Sequence, residues 1–122
     1  MYIPTAEIKT EPHSGRPMFP IITICGSTRF KDELIAVVGE LTHAGWCVLP
    51  VGVTDESRVI DVDKKNMLNE LHAQKIRMSQ AIYVVNKGGY IGKSTAHEIA
   101  YAISVGCKVY HMEGDCDVCR DS

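Results

Sequence analysis

Four short apolar runs, rich in β-branched residues, alternate along this chain with three longer segments of helical periodicity. The runs are PIITIC (20–25), WCVLPVGV (46–53), AIYVVN (81–86) and CKVYHM (107–112). Short runs without regular polar alternation are typical of strands that are buried on both faces of a sheet. The sequence therefore predicts four strands, each separated from the next by enough chain for a helix.

The three intervening segments carry apolar side chains at a spacing of three and four residues, as amphipathic helices do. The first covers 29–45 and ends at Gly45, the second runs from Lys64 to about Ser79, and the third covers 95–106 and ends at Gly106. The predicted inward stripe of the second helix consists of Met67, Leu68, Leu71, Lys75 (through its alkyl stem) and Met78. Strands that alternate with helices predict a parallel sheet covered on both faces. The predicted fold class is α/β, a Rossmann-like or flavodoxin-like three-layer sandwich with a mainly parallel sheet of four to five strands.

The chain has 122 residues, which suffice for one domain with a real core but not for two. Residues 1–19 hold three prolines and a glycine among polar residues, so they are predicted to form an irregular N-terminal arm. The α/β domain covers 20–113, with a polar, acidic surface loop at 54–63. A polar C-terminal tail is predicted for 114–122.

The formal net charge is −2 and there is no basic run, so neither nucleic acid nor a membrane surface is an expected partner. No apolar stretch approaches the length of a membrane span. The first twenty residues also lack the basic start and apolar run of a signal peptide, so a cytoplasmic location is expected.

The chain has five cysteines: Cys25, Cys47, Cys107, Cys116 and Cys119. The first three lie in strand-like runs, as small buried thiols do in a reducing compartment. The last two form a C-x-x-C pair, which supplies only two of the four ligands of a tetrahedral zinc site. The candidates to complete that site are Cys107, His111 or a neighbouring subunit. The preferred interpretation is a polar tail without a metal.

The first predicted strand ends abruptly in Gly26, Ser27, Thr28 and Arg29. Backbone N–H groups at a helix start, two hydroxyls and a guanidinium are donors that suit an anionic oxygen. The alternative is a serine or threonine N-cap with Arg29 in solvent. A cation at a helix N-terminus opposes the helix dipole, and a bound anion would relieve that conflict. The anion site is therefore the favoured interpretation.

The third strand leads into a second glycine-rich loop, NKGGYIGKSTAHE (86–98). Gly88, Gly89 and Gly92 allow the backbone to approach a ligand closely, and Tyr90 lies among them. Ligands of open parallel sheets bind at the carboxyl ends of the strands. Both glycine-rich loops are predicted to lie at that edge.

Glu98 has two interpretations. Thr95-x-x-Glu98 matches a capping box, in which the carboxylate accepts a backbone N–H. A carboxylate in the first helical turn at the ligand edge is also well placed as a nucleophile toward an electrophilic carbon. His97 points about 100° away around the helix and is predicted to be a surface or interface residue. His72, beside the apolar stripe of the second helix, is a packed flank or a proton donor to a leaving base.

The stretches CGSTRF, AIYVVNKGGYIGKSTAHEIAYA and GCKVYH resemble the nucleoside 2-deoxyribosyltransferase-like superfamily, which includes deoxynucleoside 5′-monophosphate N-glycosidases. The resemblance covers 20–112 and identifies the α/β domain as deoxyribosyltransferase-like. It implies that Glu98 attacks C1′ of a deoxyribose and forms a glycosyl-enzyme, while an acidic group helps the base to depart. It also implies homodimers or higher homo-oligomers in which a neighbour completes the pocket. The residues implied to hold the 5′-phosphate are Gly26, Ser27, Thr28, Arg29 and Ser94.

The chain departs from that superfamily at two positions. Relatives commonly carry an aspartate just before the third strand, where this chain reads Ser79-Gln80. The acidic partner on the second helix is also absent, and His72 stands near its position. Either His72 or a carboxylate from Asp61 or Asp63 replaces it, or glycosidic cleavage is weak or lost.

Three functions follow from this pattern. The leading one is cleavage or transfer of the N-glycosidic bond of a (deoxy)nucleoside 5′-monophosphate, which needs neither a metal nor a cofactor. The second is a non-catalytic nucleotide-binding module that senses or sequesters a phosphorylated nucleoside, and the missing aspartate favours it. The third is cleavage of another N-glycoside, such as a dinucleotide. Either water or a second base resolves the intermediate, which makes the protein a hydrolase or a transferase.

Overall fold

The structure is a computed structural model, and it describes residues 1–51 and 61–113. The strands are β1 (Lys9–Thr10), β2 (Pro17–Met18), β3 (Ile21–Gly26), β4 (Cys47–Leu49), β5 (Ala81–Val85) and β6 (Lys108–His111). The helices are α1 (Lys31–His43), α2 (Val62–Arg77) and α3 (Lys93–Ser104). Residues 52–60, which hold most of the predicted acidic loop, and the predicted tail 114–122 with its C-x-x-C pair lie outside the described residues.

Strands β3 to β6 form one sheet in the order β4-β3-β5-β6, and every pairing in it is parallel. The prediction of an α/β fold with a mainly parallel sheet is thereby confirmed, with four strands in the described part of the chain. Strand β3 occupies an inner position because its side chains are buried on both faces, as its unbroken apolar run predicts.

Helices cover both faces of the sheet. Successive side chains of a strand point to opposite faces, so Ile24 and Tyr83 face one side while Cys25 and Val84 face the other. The first side packs on α1 through Val37 and Leu41, with Ile22, Trp46, Ala81, Val85 and Met112 in the same cluster. The second side packs on α2 and α3 through Ile76, Ile99 and Ala102, with Ile82. The chain therefore has two apolar cores, one on each side of the sheet.

Helix α2 differs from its prediction. It begins at Val62, because the Asp61 carboxylate accepts the N–H of Lys64 at 2.8 Å and caps the helix. Its buried apolar residue is Ile76, whereas Met67, Leu71 and Met78 of the predicted inward stripe are 46 to 50% exposed. The prediction that this stripe faces the core is wrong, because the side of α2 that meets the sheet carries His72 and Ile76 instead.

The start of α3 also differs from its prediction. Gly92, in an extended conformation, is the N-cap, and the helix begins at Lys93. Thr95 is a buried residue within the helix, so the capping-box interpretation of Thr95 and Glu98 is wrong. Glu98 is the sixth helical residue and lies in the second turn rather than the first.

Residues 1–19, predicted as an irregular arm, contain the antiparallel β1–β2 hairpin. The segment before the hairpin lies against the α1 side of the sheet. The Trp46 indole N–H donates to the Pro4 carbonyl at 2.9 Å, and the Tyr83 hydroxyl donates to the Tyr2 carbonyl at 2.5 Å. Two buried aromatic side chains therefore satisfy their polar groups on the N-terminal segment.

The cysteines follow the prediction only in part. Cys25 is buried, Cys107 is half-buried and Cys47 is exposed, and all three are free thiols. Cys47 is exposed because it begins β4, which forms one edge of the sheet. Within the described residues, none of the helices has the length and apolar character needed to cross a membrane.

Gly26 ends β3 at a point where a side chain has no room. A Cβ at Gly26 would lie 3.1 Å from both the Cβ and the carbonyl oxygen of Val85, on the adjacent strand. We expect Gly26→Ala to lower the free energy of unfolding by about 1–3 kcal/mol, as overpacking does. Urea denaturation measures this change.

Gly39→Ala is the matched control, because a Cβ at Gly39 on α1 would meet nothing within 4 Å. A glycine within a helix is less favourable than alanine, so this variant is expected to be as stable as the wild type or more stable. Equal stability of the two variants would contradict the close approach of β3 and β5.

Candidate active site

The inner strands β3 and β5 are adjacent and parallel, but the helices that follow them lie on opposite faces of the sheet. Helix α1 follows β3 on one face, and α3 follows β5 on the other. The crevice outside the carboxyl ends of two such strands is where open α/β sheets bind ligands. Gly26 pairs with Val85 at this edge, so both glycine-rich loops begin there, as predicted.

The two loops contact each other through Tyr90. The Arg29 guanidinium lies 4.5 Å from the centre of the Tyr90 ring, and the Phe30 ring packs edge-on against it at 5.9 Å. A Cβ at Gly92 would lie 3.2 Å from the Tyr90 hydroxyl, so this hydroxyl reaches the start of α3. The loops therefore form a continuous wall from β3 to α3.

Ser27 is an N-cap, as the alternative interpretation of this loop predicts. Its hydroxyl oxygen accepts the N–H of Arg29 at 3.3 Å at the start of a 3-10 turn, Thr28–Phe30. A hydroxyl that accepts one hydrogen bond keeps its own proton to donate. The cap and the anion site are therefore compatible, and the anion site stays a prediction.

The second glycine-rich loop is hydrogen-bonded to Glu113, in the chain segment after β6. Gly88 and Gly89 have φ values of +65° and +80°, which only glycine adopts readily in such a turn. The Gly88 N–H donates to the Glu113 carboxylate at 2.5 Å, and Asn86 exchanges two hydrogen bonds with the Glu113 backbone. The N–H of Gly88, in a loop predicted to approach a ligand, is thus bonded to a carboxylate of the protein itself.

His72 of α2 and Glu98 of α3 meet beside this edge. The His72 Nε2 lies 3.1 Å from a Glu98 carboxylate oxygen, and the two side chains are 14% and 27% exposed. Burial raises the pKa of Glu98 to about 7. Burial, and then the charge of Lys75, lower the pKa of His72. Both shifts favour the uncharged forms, so the two groups share a proton in one hydrogen bond near neutral pH.

Cys25, which was not among the site residues predicted from sequence, is the third member of this cluster. Its sulfur lies 3.4 Å from the same Nε2 of His72. Burial, and then the nearby Glu98 charge, raise the pKa of the Cys25 thiol. The Cys25 sulfur, the His72 nitrogen and the Glu98 oxygen all lie within 4.8 Å of one another. The alternation of side chains along β3 places Cys25 on the α2–α3 face, which is the signal that could have identified it.

His72 and Glu98 line two clefts. The larger, of about 490 Å³, reaches Gly26 and has apolar walls formed by Leu49, Val51, Leu68, Leu71 and Met78. Its volume is in the range of small-molecule sites. The smaller, of about 280 Å³, lies between α2 and α3 and is lined by Asn69, Ser94, His97 and Tyr101, among others. Leu71 and Met78 of the exposed stripe of α2 are therefore part of a wall of the larger cleft.

The structure shows where the residues lie at which this chain departs from the deoxyribosyltransferase pattern. Ser79 and Gln80 precede β5 and lie at its amino end, opposite the site, where the Gln80 side chain accepts the N–H of Ile21. An acid there would not reach the carboxyl edge. Asp61 caps α2, and Asp63 is more than two helical turns from His72. Of the three candidates for the acid, His72 is the one in contact with Glu98.

His97 is exposed, as predicted.

Comparison of the chain with models of protein families, with curated proteins and with solved structures finds no match in any of the three.

Proposed function

We propose that this protein cleaves or transfers the N-glycosidic bond of a (deoxy)nucleoside 5′-monophosphate on a Rossmann-like domain. Glu98 is the nucleophile and His72 is the proton donor. The 3.1 Å contact between these two side chains, at a cleft that borders the carboxyl end of β3, carries the proposal. Two groups that share a proton supply both parts of the reaction, an attacking oxygen and an acid.

In the proposed reaction a carboxylate oxygen of Glu98 bonds to C1′ of the sugar as the bond from C1′ to the base nitrogen breaks. The transition state resembles an oxocarbenium ion, and the adjacent carboxylate stabilises its positive charge. The electron pair of the broken bond goes to the base, which is a poor leaving group unless it is protonated. Water then attacks C1′ and releases the sugar phosphate, or a second base attacks and forms a new nucleotide.

His72 supplies the proton. The neutral pair holds one proton between the carboxyl oxygen and Nε2. When Glu98 attacks as a carboxylate, that proton lies on His72, which donates it to the departing base. Low solvent exposure of both groups limits proton loss to water during this step.

The walls of the site suit the other parts of a nucleotide. The apolar walls of the larger cleft fit the faces of a planar base. The Arg29 guanidinium lies over the Tyr90 ring, and its fork of N–H donors suits phosphate oxygens. In the proposed complex, Ser27, Thr28 and Ser94 add hydroxyl donors to the phosphate site.

Arg29→Ala tests the phosphate site. Loss of a charge-assisted hydrogen bond is expected to raise KM for deoxynucleoside monophosphates about ten- to hundredfold. KM for the free nucleosides is expected to stay near the wild-type value. Steady-state kinetics on matched nucleotide and nucleoside pairs measure the difference.

The control for this variant is Arg16→Ala, which removes an exposed arginine at the β1–β2 hairpin. It is expected to leave both KM values unchanged. An equal loss for nucleotides and nucleosides in Arg29→Ala would remove the phosphate from the proposed substrate.

One observation favours the non-catalytic nucleotide-binding module as a second candidate. Burial raises the pKa of Glu98 to about 7, and a protonated carboxyl is a poor nucleophile. To separate the candidates, the protein is incubated with a panel of deoxynucleoside monophosphates, with and without an excess of a second base, and the products are separated by chromatography. Free base indicates a hydrolase, a new nucleotide indicates a transferase, and binding without either product indicates the binding module.

A further inference from the structure

The cluster of Cys25, His72 and Glu98 has features that the glycosidic reaction does not use. The three side chains come from β3, α2 and α3, and each offers a different donor atom. The Cys25 sulfur lies 3.4 Å from the His72 Nε2, which lies 3.1 Å from a Glu98 oxygen. Cys25 is fully buried, whereas the other two line the larger cleft.

The arrangement differs from a nucleophile–base relay. In a relay, the nucleophile and the orienting carboxylate bond to opposite nitrogens of the imidazole. Here the sulfur and the carboxylate both approach Nε2. That nitrogen has either one proton or one lone pair, so it cannot serve both neighbours fully. Three different donor atoms within 4.8 Å of one another are a candidate set of ligands for a metal ion.

Two of the three distances in the cluster are close to those of a zinc site. Zinc bonds to sulfur at about 2.3 Å and to imidazole nitrogen or carboxylate oxygen at about 2.0–2.2 Å, so neighbouring ligands of a tetrahedral ion lie about 3.3–3.6 Å apart. The two contacts of His72 Nε2 are 3.4 and 3.1 Å. The Cys25 sulfur and the Glu98 oxygen lie within 4.8 Å of each other, and a bound ion would draw them together. A thiolate with an imidazole selects zinc over magnesium or calcium, which prefer oxygen ligands.

We propose that Cys25, His72 and Glu98 bind a zinc ion whose fourth position is open to the larger cleft. Three protein ligands and one open position are the composition of zinc sites that bind water or a substrate atom. An ion held there would engage the Glu98 oxygen and the His72 nitrogen. Zinc is thus expected to inhibit base release, a consequence that rests on the proposed function, whereas zinc binding itself does not.

Cobalt(II) provides the test, because a thiolate bound to cobalt gives a charge-transfer band in the near ultraviolet. The full chain is used with Cys116→Ser and Cys119→Ser, so that the C-x-x-C pair cannot contribute. One cobalt ion per chain is expected to bind with the thiolate band and the visible bands of a four-coordinate site, and zinc is expected to displace it. Cys25→Ser is expected to abolish the thiolate band.

Cys47→Ser is the matched control, since Cys47 is an exposed free thiol, and it should leave the spectrum unchanged. His72→Ala, on the cleft side of α2, gives a second test should Cys25→Ser fail to fold. It is expected to weaken cobalt binding more than about tenfold, since loss of a residue that only hydrogen-bonds to a metal ligand already reaches that value. Cobalt binding without a thiolate band, or an unchanged affinity in His72→Ala, would overturn the proposal. Neither result depends on whether the protein releases bases.

Discussion

Replacing Glu98 with glutamine is expected to reduce the rate of base release from deoxynucleoside monophosphates by about 10³-fold or more, as loss of a catalytic nucleophile does. Glutamine keeps the shape of the side chain but has no oxygen that attacks C1′ readily. It can still accept a hydrogen bond from His72, so the contact between α2 and α3 is retained. Nucleotide binding, measured by calorimetry, should therefore survive in Glu98→Gln.

The control is Glu40→Gln, which makes the same chemical change at an exposed position on α1, on the opposite face of the sheet. It should release base at the wild-type rate. Both variants are assayed with a chelator present, so that metal binding does not enter the comparison. Base release by Glu98→Gln at the rate of Glu40→Gln would exclude Glu98 as the nucleophile.

Replacing His72 with alanine is expected to lower kcat/KM for ordinary deoxynucleoside monophosphates by about 10²- to 10⁴-fold, the range for a general acid. A purine methylated at N7 carries a positive charge and leaves as a neutral base without being protonated. The loss for a methylated purine nucleotide is therefore expected to be much smaller. This difference separates a proton donor from a residue that only positions Glu98.

His43→Ala serves as the control, because His43 is exposed in the last turn of α1, away from the site. Its kinetics should match those of the wild type on both substrates. An equal loss in His72→Ala on the methylated and unmethylated nucleotides would mean that His72 does not supply the proton.

The inner strands of the sheet were predictable from sequence because they are buried on both faces. The apolar run at 20–25 becomes Ile21–Gly26, and the run at 81–86 becomes Ala81–Val85. Such strands are nearly continuous apolar runs, which local composition identifies. The shared edge of the two glycine-rich loops then follows from the parallel direction of the strands.

The orientation of the helices was less predictable. Periodicity shows that a helix has an apolar face, but not what that face contacts. In α2 the apolar residue buried in the core is Ile76, and Leu71 and Met78 line a cleft. At the start of α3 the motif Thr95-x-x-Glu98 fits a capping box, yet the extended backbone at Gly92 moves the helix start upstream.

The composition of the site depends on packing between elements. Glu98 and His72 were candidates from sequence, but their contact requires α2 and α3 to lie side by side on one face of the sheet. Cys25 joins them because alternation along β3 turns its side chain toward the same face. A local pattern cannot report distances between three elements that are far apart in sequence.

Release of free base tests the central claim most directly. The wild-type protein, treated with a chelator, is incubated with each deoxynucleoside monophosphate, with and without an excess of a second base, and the products are measured by chromatography over time. Cleavage by Glu98 and His72 predicts that at least one nucleotide yields base at a rate proportional to the protein concentration, and that Glu98→Gln yields almost none. Nucleotide that stays bound while no base or exchanged nucleotide forms would contradict the claim.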